Sequence, residues 1–283
     1  MDKTIDTLVE DIQALFTEGH ECDPVNVAAL GQAIAEVVSS RLAEAARPKE
    51  PFRLRMSNLG KPDRQLWYDA HPEASPNPEK LDASARIKFL FGDILERMLL
   101  FLATEAGHEV THSQAVVDIE GVRGSMDGRI DGVLVDAKSA STFSYKKFAD
   151  GSLRRDDSFG YMWQLSGYAH GDKVDGRVTD GAFFVIDKTL GHICLMNVPK
   201  EEFELYDVEK RIAHLKEVVA SPNPPERCYD EVPDGKSGNM KLDTGCSYCK
   251  HKQSCWPNLQ TYFYSNGPRF LTVVAREPKV DKE

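Results

Sequence analysis

Asp131-Gly132 sits between two β-type runs, GSMDGRI and VLVDAKSA. An Asp-Gly pair in that setting specifies a two-residue hairpin turn, because both turn residues take positive φ and few other pairs do so cheaply. No other feature constrains the fold as tightly, since a turn of fixed length also fixes strand register. With residues 131 and 132 as the loop, 130 pairs with 133 and 129 with 134. Continued upward, Asp127 falls opposite Asp136, and Lys138 lies two residues further along the same face. Asp127-Gly128 is a competing turn, but it leaves only Arg129 and Ile130 as a return strand.

Opposed side chains on one sheet face have Cβ atoms about 5 Å apart, and like charges there are destabilising. A purely structural hairpin avoids that arrangement. A hard divalent cation between the two carboxylates reverses the sign of the interaction, because such ions take oxygen ligands. Lys138 would then stand beside the ion as a charge that orients a water or stabilises a phosphorane-like transition state.

The periodicity of the rest predicts what surrounds the hairpin. Residues 2–18 and 24–46 read as helices, the second capped by Asp23 with Pro24 in its first turn. Residues 47–51 read as a linker and 72–79 as a Pro-rich loop. A strongly apolar helix is expected over 84–106, with most of its surface buried. Glu96 within it needs a partner: a metal site, or a salt bridge to Arg97 or another base. Gly92, one turn earlier, lets a neighbour approach that face. Strands follow over 108–121, 122–130 and 133–140, then a helix over 156–170, two strands over 181–198 hinged at Gly191, and a helix over 200–220. Gln164 and Tyr168 share a helical face; taken alone they read as a surface Gln and a core Tyr. The order implies a mixed α/β core over 51–221, preceded by an N-terminal helical region (1–50) and followed by a C-terminal segment (222–283).

That last segment concentrates cysteine. Cys228, Cys246, Cys249 and Cys255 lie in a Gly/Lys-rich stretch, the last three spaced C-x2-C-x5-C. A tight thiolate cluster of this kind suits Zn²⁺ or an iron–sulfur cluster. Between 226 and 256 the large apolar residues are Tyr229, Val232, Met240, Leu242, Tyr248 and Trp256. They cannot offset a backbone ordering cost of ~1–2 kcal/mol per residue, whereas metal binding becomes folding free energy where no preformed site exists. The four cysteines are therefore expected to staple the segment to the core, far from the chemistry. Cys194 reads as a core residue, and Cys22 is uncommitted.

Six cysteines in 283 residues is too sparse for a secreted disulfide scaffold, which points to a reducing, cytoplasmic compartment. No apolar run approaches the ~20 residues of a membrane span, and the first residues lack the apolar core of a signal peptide. The net charge of −10 argues against a broadly basic nucleic-acid-binding surface. Local clusters (Arg53, Arg55, Lys61 and Arg64; Lys146 and Lys147; Arg154 and Arg155) leave room for a narrow basic channel on an acidic body.

In this order, Gly92-x3-Glu96, Asp127, Asp136-Ala137-Lys138 and Gln164-x3-Tyr168 resemble the PD-(D/E)XK nuclease superfamily. The likeness is greatest to the RecB-type branch that includes phage exonucleases related to lambda exonuclease, and it spans about residues 52–255. The resemblance implies a restriction-endonuclease-like mixed sheet flanked by helices. It implies that Glu96, Asp127, Asp136 and the carbonyl of Ala137 bind Mg²⁺ or Mn²⁺, and that Lys138 positions or activates the attacking water. Gln164 and Tyr168 would line the site and help hold Lys138 or the DNA strand. Many RecB-type members carry a histidine in the first helix; Glu96 takes its place here. The cysteine spacing is similar to that of iron–sulfur-stapled RecB-type nucleases, implying a [4Fe–4S] cluster. In those proteins the first cysteine precedes the core; the matching segment here, SNLGKPDRQLWY, has none, so Cys228 would replace it. Zinc on four cysteines, or with His251 replacing one thiolate, is the alternative. The implied activity is a metal-dependent DNA exonuclease of phage or prophage recombination or DNA processing, acting in the host cytoplasm, with a single-strand annealing or recombination protein as candidate partner. The rival readings are a non-catalytic DNA-end-binding module on the same fold and an RNA nuclease.

Overall fold

The computed structural model describes residues 3–44, 46–47, 50–79, 82–265 and 267–282. Residue 2 of the first expected helix, residue 45 of the second, and 48 and 49 of the linker lie outside the described residues. The N-terminal region forms α1 (Leu8–Thr17) and α2 (Pro24–Glu44), with Asp23 accepting from the Val25 amide at 2.8 Å as a cap. Next come α3 (Asp63–Ala70) and the apolar α4 (Ala83–Glu105). α2 packs along α4, and Arg41 grips Asp93 through two contacts of 2.5 and 2.9 Å.

Strands β1 (Val110–Thr111), β2 (Val116–Ile119), β3 (Val122–Ser125), β4 (Gly128–Ile130) and β5 (Val133–Ala140) follow. After them come α5 (Thr142–Ala149), α6 (Tyr161–Gly171), β6 (Gly181–Asp187), β7 (Ile193–Val198), α7 (Lys200–Phe203) and α8 (Val208–Ala220). The central sheet has the order β1-β4-β5-β6-β7, with β5 and β6 parallel and the remaining pairs antiparallel. Every residue of β6 is buried, as suits an interior strand covered on both faces. A parallel pair needs a crossover, and residues 141–180 supply it with α5 and α6.

Helices cover both faces, the mixed α/β architecture the sequence implies. Ile130, Val135, Ala137, Phe184 and Ile186 pack under α1 and α4. On the opposite face Leu134, Ala140, Phe183 and Val185 pack with Leu165 and Tyr168 of α6 and Ile212 and Leu215 of α8. The period-two alternation of β5 therefore turns Asp136 and Lys138 toward α6.

Several elements differ from expectation, each for a local reason. The run 108–121 divides into β1 and β2, and β2 pairs with β3 in a separate ribbon. Glu120 (φ 51°) and Gly121 (φ 81°) form a second two-residue hairpin turn there. The helix expected from 156 starts at Tyr161, because the Asp157 carboxylate accepts from the Tyr161 and Met162 amides (2.9 and 2.8 Å) and Gly160 is left-handed at φ 72°. The helix over 200–220 is broken, and Asp207 caps its second part by accepting from the Lys210 amide at 3.0 Å. Two helices of the core region were not expected: α3, which follows Pro62, and α5, capped by Ser141.

The largest departure is at the C-terminus. β8 (Val232–Pro233), β9 (Met240–Lys241), β10 (Gln260–Tyr264), β11 (Gly267–Val273) and β12 (Asp281–Lys282) form a second five-stranded sheet in the order β12-β10-β11-β9-β8. The short helices α9 (Thr244–Ser247) and α10 (Lys252–Cys255) lie between β9 and β10. Tyr262 and Leu271 are fully buried in this sheet. The region thus has apolar support beyond residue 256 that a cysteine staple alone leaves out.

Candidate active site

The hairpin turns where the sequence places it. Asp131 and Gly132 take φ of 51° and 81°, and the ladder pairs Ile130 with Val133, Arg129 with Leu134 and Gly128 with Val135. β4 begins one residue after Asp127, so Asp127 lies just past the last pair. Its side chain takes over from the ladder: Oδ2 accepts from the Ala137 amide at 2.8 Å. The N–H and C=O of a strand residue point to the same edge, so the Ala137 carbonyl faces the side where Asp127 sits.

Asp136 is 1% exposed, and neither of its carboxylate oxygens has a hydrogen-bond partner. The Lys138 ammonium lies 2.6 Å from Oδ2 as an ion pair without hydrogen-bond alignment. Glu96 arrives from α4, on the opposite face. Its Oε1 accepts from Gln114 Nε2 at 3.2 Å and is 3.9 Å from the Arg97 guanidinium, a loose contact for the salt bridge considered as its alternative role. Gly92 brings Ser139 Oγ to 3.4 Å from where a Cβ would stand, ordinary contact distance.

Burial pushes the Asp127 carboxyl well above the usual carboxylate range, and the charges of Asp136 and Glu96 push it further. Burial likewise raises Glu96, with Asp136 adding to it against Arg97 and Lys138, and raises Asp136 against the opposing pull of Lys138. Burial disfavours the charge on Lys138, but Asp136 and Asp127 outweigh it and hold the ammonium protonated above its ordinary range. Two buried carboxyls, the half-buried Glu96 and one ammonium therefore lie within reach of one another's charge.

α6 contributes the wall. Gln164 Nε2 donates to the Tyr168 hydroxyl at 3.0 Å. Tyr168 is buried, and burial followed by the Asp136 charge raises its hydroxyl's pKa. Gly124 of β3 admits the Tyr168 ring; a Cβ there would stand 2.7 Å from its Cε1. Tyr161, which the sequence reading passed over, lies with the Lys138 ammonium 5.4 Å from its ring centre. It precedes Gln164 by three residues, so the same helical spacing could have found it.

The residues present suit a divalent cation. A fully buried carboxylate with neither oxygen hydrogen-bonded and only Oδ2 ion-paired, to Lys138, together with two further carboxyls, forms an oxygen donor set for a hard ion. Among the described residues, the one group of three ligand atoms all within 4.8 Å of one another lies elsewhere: His20, Cys22 and Glu105. There Glu105 is already engaged, accepting from His20 and Asn26 at 2.7 Å each and from the Asp23 amide at 3.1 Å.

The basic clusters are only partly committed. Lys147 pairs with Asp156, Arg154 with Glu202, and Arg64 reaches the Pro225 carbonyl. Arg53, Arg55, Lys146 and Arg155 are exposed and form no ion pair among the described residues.

Cys228, Cys246, Cys249 and Cys255 line one cavity of about 30 Å³, together with Tyr68 and Trp256. A water needs ~10–15 Å³ by this measure. Burial pushes the Cys246 thiol up to about 12 and raises Cys228 and Cys249, with neighbouring cysteine sulfurs adding to each. Cys228 shares the cavity with Arg64 and Gln65 at the start of α3, within the segment that lacks a cysteine of its own, and their amides pull its thiol down against burial. Four thiols lining one cavity are a soft donor set that suits a metal or cluster, with no three of the sulfurs within 4.8 Å of one another. His251 does not fit as a ligand: its ring nitrogens engage Ser75 Oγ (2.8 Å) and Asp69 Oδ1 (2.9 Å), and it stacks on Tyr68. The segment does not stand far from the acidic site. Tyr248, between Cys246 and Cys249, meets the Phe159 ring at 6.1 Å, and Phe159 meets Tyr161 at 5.6 Å.

No protein-family model and no curated protein matches the chain. Solved structures with a similar chain path include an alkaline exonuclease, LHK-Exo, from Laribacter hongkongensis, at 16% identity and TM-score 0.40, covering 65% of this chain and 94% of that one. The same protein in complex with dAMP matches at 17% identity and TM-score 0.36, covering 58% and 92%. A third, SSO0001, matches at 15% identity and TM-score 0.39, covering 81% of this chain and 94% of that one.

Proposed function

We propose that the chain is a divalent-metal-dependent deoxyribonuclease that shortens DNA from its ends by phosphodiester hydrolysis. The observation that carries this reading is Asp136, a buried carboxylate whose Oδ1 has no partner and whose Oδ2 meets only the Lys138 ammonium, with Asp127 and Glu96 adding their charges nearby. An unsatisfied buried polar group costs about 1–3 kcal/mol, and a charged one more. Such a cost at a convergence of acids points to a ligand that completes the set.

Glu96, Asp127, Asp136 and the Ala137 carbonyl would hold Mg²⁺ or Mn²⁺. When bound, such a cation supplies Lewis-acid stabilisation of the charge that builds on the reacting phosphoryl group. The Asp127–Ala137 hydrogen bond fixes one carboxylate to the strand. Lys138, kept protonated, orients the attacking water and meets the developing charge. The Gln164–Tyr168 pair holds the wall beside them. The cysteines would hold a [4Fe–4S] cluster, or Zn²⁺ as the alternative, in a structural role. Phage DNA recombination or processing, with an annealing or recombination protein as partner, is the setting the family resemblance supports.

The test is digestion of 5′- and 3′-end-labelled linear duplex, single-stranded DNA, closed circles and RNA with Mg²⁺ or Mn²⁺. Linear DNA should be lost and circles survive. Asp136→Ala and Lys138→Ala should each slow cleavage by about 10²–10³. No cutting of any DNA with either ion favours the non-catalytic end-binding module, and preference for RNA favours the RNA nuclease.

A further inference from the structure

Two exposed aromatic side chains stand beside the acidic site, one from the core and one from the cysteine-bearing segment. Phe159 is 53% exposed and Tyr248 is 74% exposed. Their ring centres are 6.1 Å apart with planes inclined at 55°. Moving outward from the Lys138 ammonium, the order of contacts is Tyr161, Phe159, Tyr248.

Single exposed apolar residues need no explanation. These two form a contiguous pair, and both are held by stiff backbone. Phe159 precedes Gly160, whose backbone is pressed against that of Gly60, and the Asp157 carboxylate pins the next two amides. Tyr248 is placed by the cysteine centre: the Cys249 amide donates to the Cys246 carbonyl at 3.0 Å across it. Both rings are largely exposed on ordered backbone, so the cost of ordering them is met before any ligand arrives.

The position of the pair selects its occupant. From a phosphate at the carboxylates, one way out of the site passes Tyr161, Phe159 and Tyr248 in succession. Aromatic faces take any base by stacking. A base inside a duplex already stacks on both neighbours, whereas an unpaired base has a free face for these rings.

We propose that Phe159 and Tyr248 form a stacking platform for unpaired bases of the strand that enters the acidic site, which makes single-stranded DNA, or a single-stranded end, the substrate this surface selects. The proposal rests on the nuclease reading.

The test uses the full chain carrying Asp136→Ala, and a short oligothymidylate with one 2-aminopurine, whose fluorescence falls on stacking. Adding Phe159→Ala or Tyr248→Ala should weaken binding by about five- to a hundredfold and remove the quench. Tyr248→Phe should preserve both, because the face and not the hydroxyl is used. A blunt duplex of equal length should bind alike in all of them. With Asp136 intact, KM for the single strand should rise by the same factor. Unchanged oligonucleotide binding, equal losses for duplex, or no binding at all by the Asp136→Ala protein overturns the platform. Self-association that is lost in Tyr248→Ala while oligonucleotide binding holds assigns the rings to a second copy and also overturns it. The two readings fail separately. A chain that cuts nothing with Mg²⁺ or Mn²⁺ but binds single strands through these rings keeps the platform and loses the nuclease; metal- and Asp136-dependent cutting indifferent to both rings does the reverse.

Discussion

Gly160→Ala should be among the most destabilising single-methyl additions in the protein. The perturbation has two separable parts. Gly160 sits at φ 72°, where an L-residue pays about 1–2 kcal/mol. The new Cβ would also stand 2.3 Å from Gly60 Cα and 2.5–2.6 Å from its carbonyl atoms, more than an ångström inside the ~3.5–4.0 Å carbon contact distance. Those are backbone atoms, so no rotamer relieves the overlap, and overpacking of this sort costs about 1–3 kcal/mol. The expected total is about 2–5 kcal/mol. Two controls isolate the parts. Gly176→Ala, at φ 74° with nothing within 4 Å, carries the strain alone, about 1–2 kcal/mol. Gly60→Ala has no positive φ but would place its Cβ 2.2 Å from Gly160 Cα, so it carries the overlap alone, about 1–3 kcal/mol. Urea unfolding with linear extrapolation measures all three. The double variant Gly60→Ala/Gly160→Ala should cost less than the sum, because one separation of the two segments relieves both overlaps. A Gly160→Ala cost no greater than that of Gly176→Ala would refute the close backbone contact, and with it the rigid seat of Phe159 and Tyr161.

Replacing Cys246 by Ser should lower the thermal midpoint and make the segment after residue 226 protease-sensitive, as limited proteolysis would report. Anaerobic purification should give a brown protein with a broad absorption band if the centre is iron–sulfur, or a colourless one with one zinc. A C-terminal segment that stays ordered after chelation and holds neither metal would remove the staple. Glu96→Gln and Asp127→Asn should each weaken Mn²⁺ binding by calorimetry, whereas Gln164→Ala should lower cleavage and leave the ion bound. Glu105 is held below its ordinary value of 4.5, first by Asn26 and also by His20 and the Asp23 amide. A depressed carboxylate stabilises the fold fully above its unfolded value and loses that contribution as pH falls toward the folded one. The gap in thermal midpoint between the wild type and Glu105→Gln should therefore narrow below pH 4.5, and a gap that widens with acid would reverse the assignment.

What could be read in the sequence was whatever depended on short range. The Asp131-Gly132 turn, its register and the facing of Asp136 and Lys138 follow from two residues and a period of two, and the structure has them so. The register put Asp127 opposite Asp136, but the ladder ends at Gly128 and Val135, and Asp127 instead accepts from the Ala137 amide through its side chain. Glu96 was harder, because its approach from α4 on the far face depends on packing that no local pattern encodes. Glu120-Gly121 passed unnoticed as a turn because Glu is a poor predictor of positive φ. The second sheet was missed for a different reason: β8, β9 and β12 are two residues each, too short for any alternation to show. Tyr248 and Phe159 are far apart in the chain, and their meeting belongs to the docking of the cysteine segment against the loop after α3, through Ser254 on Ser75 and Lys252 on Glu79.

The parallel pairing of β5 with β6 also sets an order of assembly. The β4–β5 hairpin has contacts only a few residues apart and can close in microseconds. Asp136 pairs with Phe183 across the whole of 141–180, and a non-local contact of that kind must wait for its loop to close. During that wait one edge of β5 has no partner in its own chain, and bare edges invite pairing between molecules. The strand that waits carries Asp136 and Lys138 in the middle of VLVDAKSA. Charges set within a β-prone run are what keeps such a run from joining its neighbours in other chains. Replacing Asp136 and Lys138 together by apolar residues should therefore lower the yield of folded protein during synthesis, through an aggregate formed before any site exists.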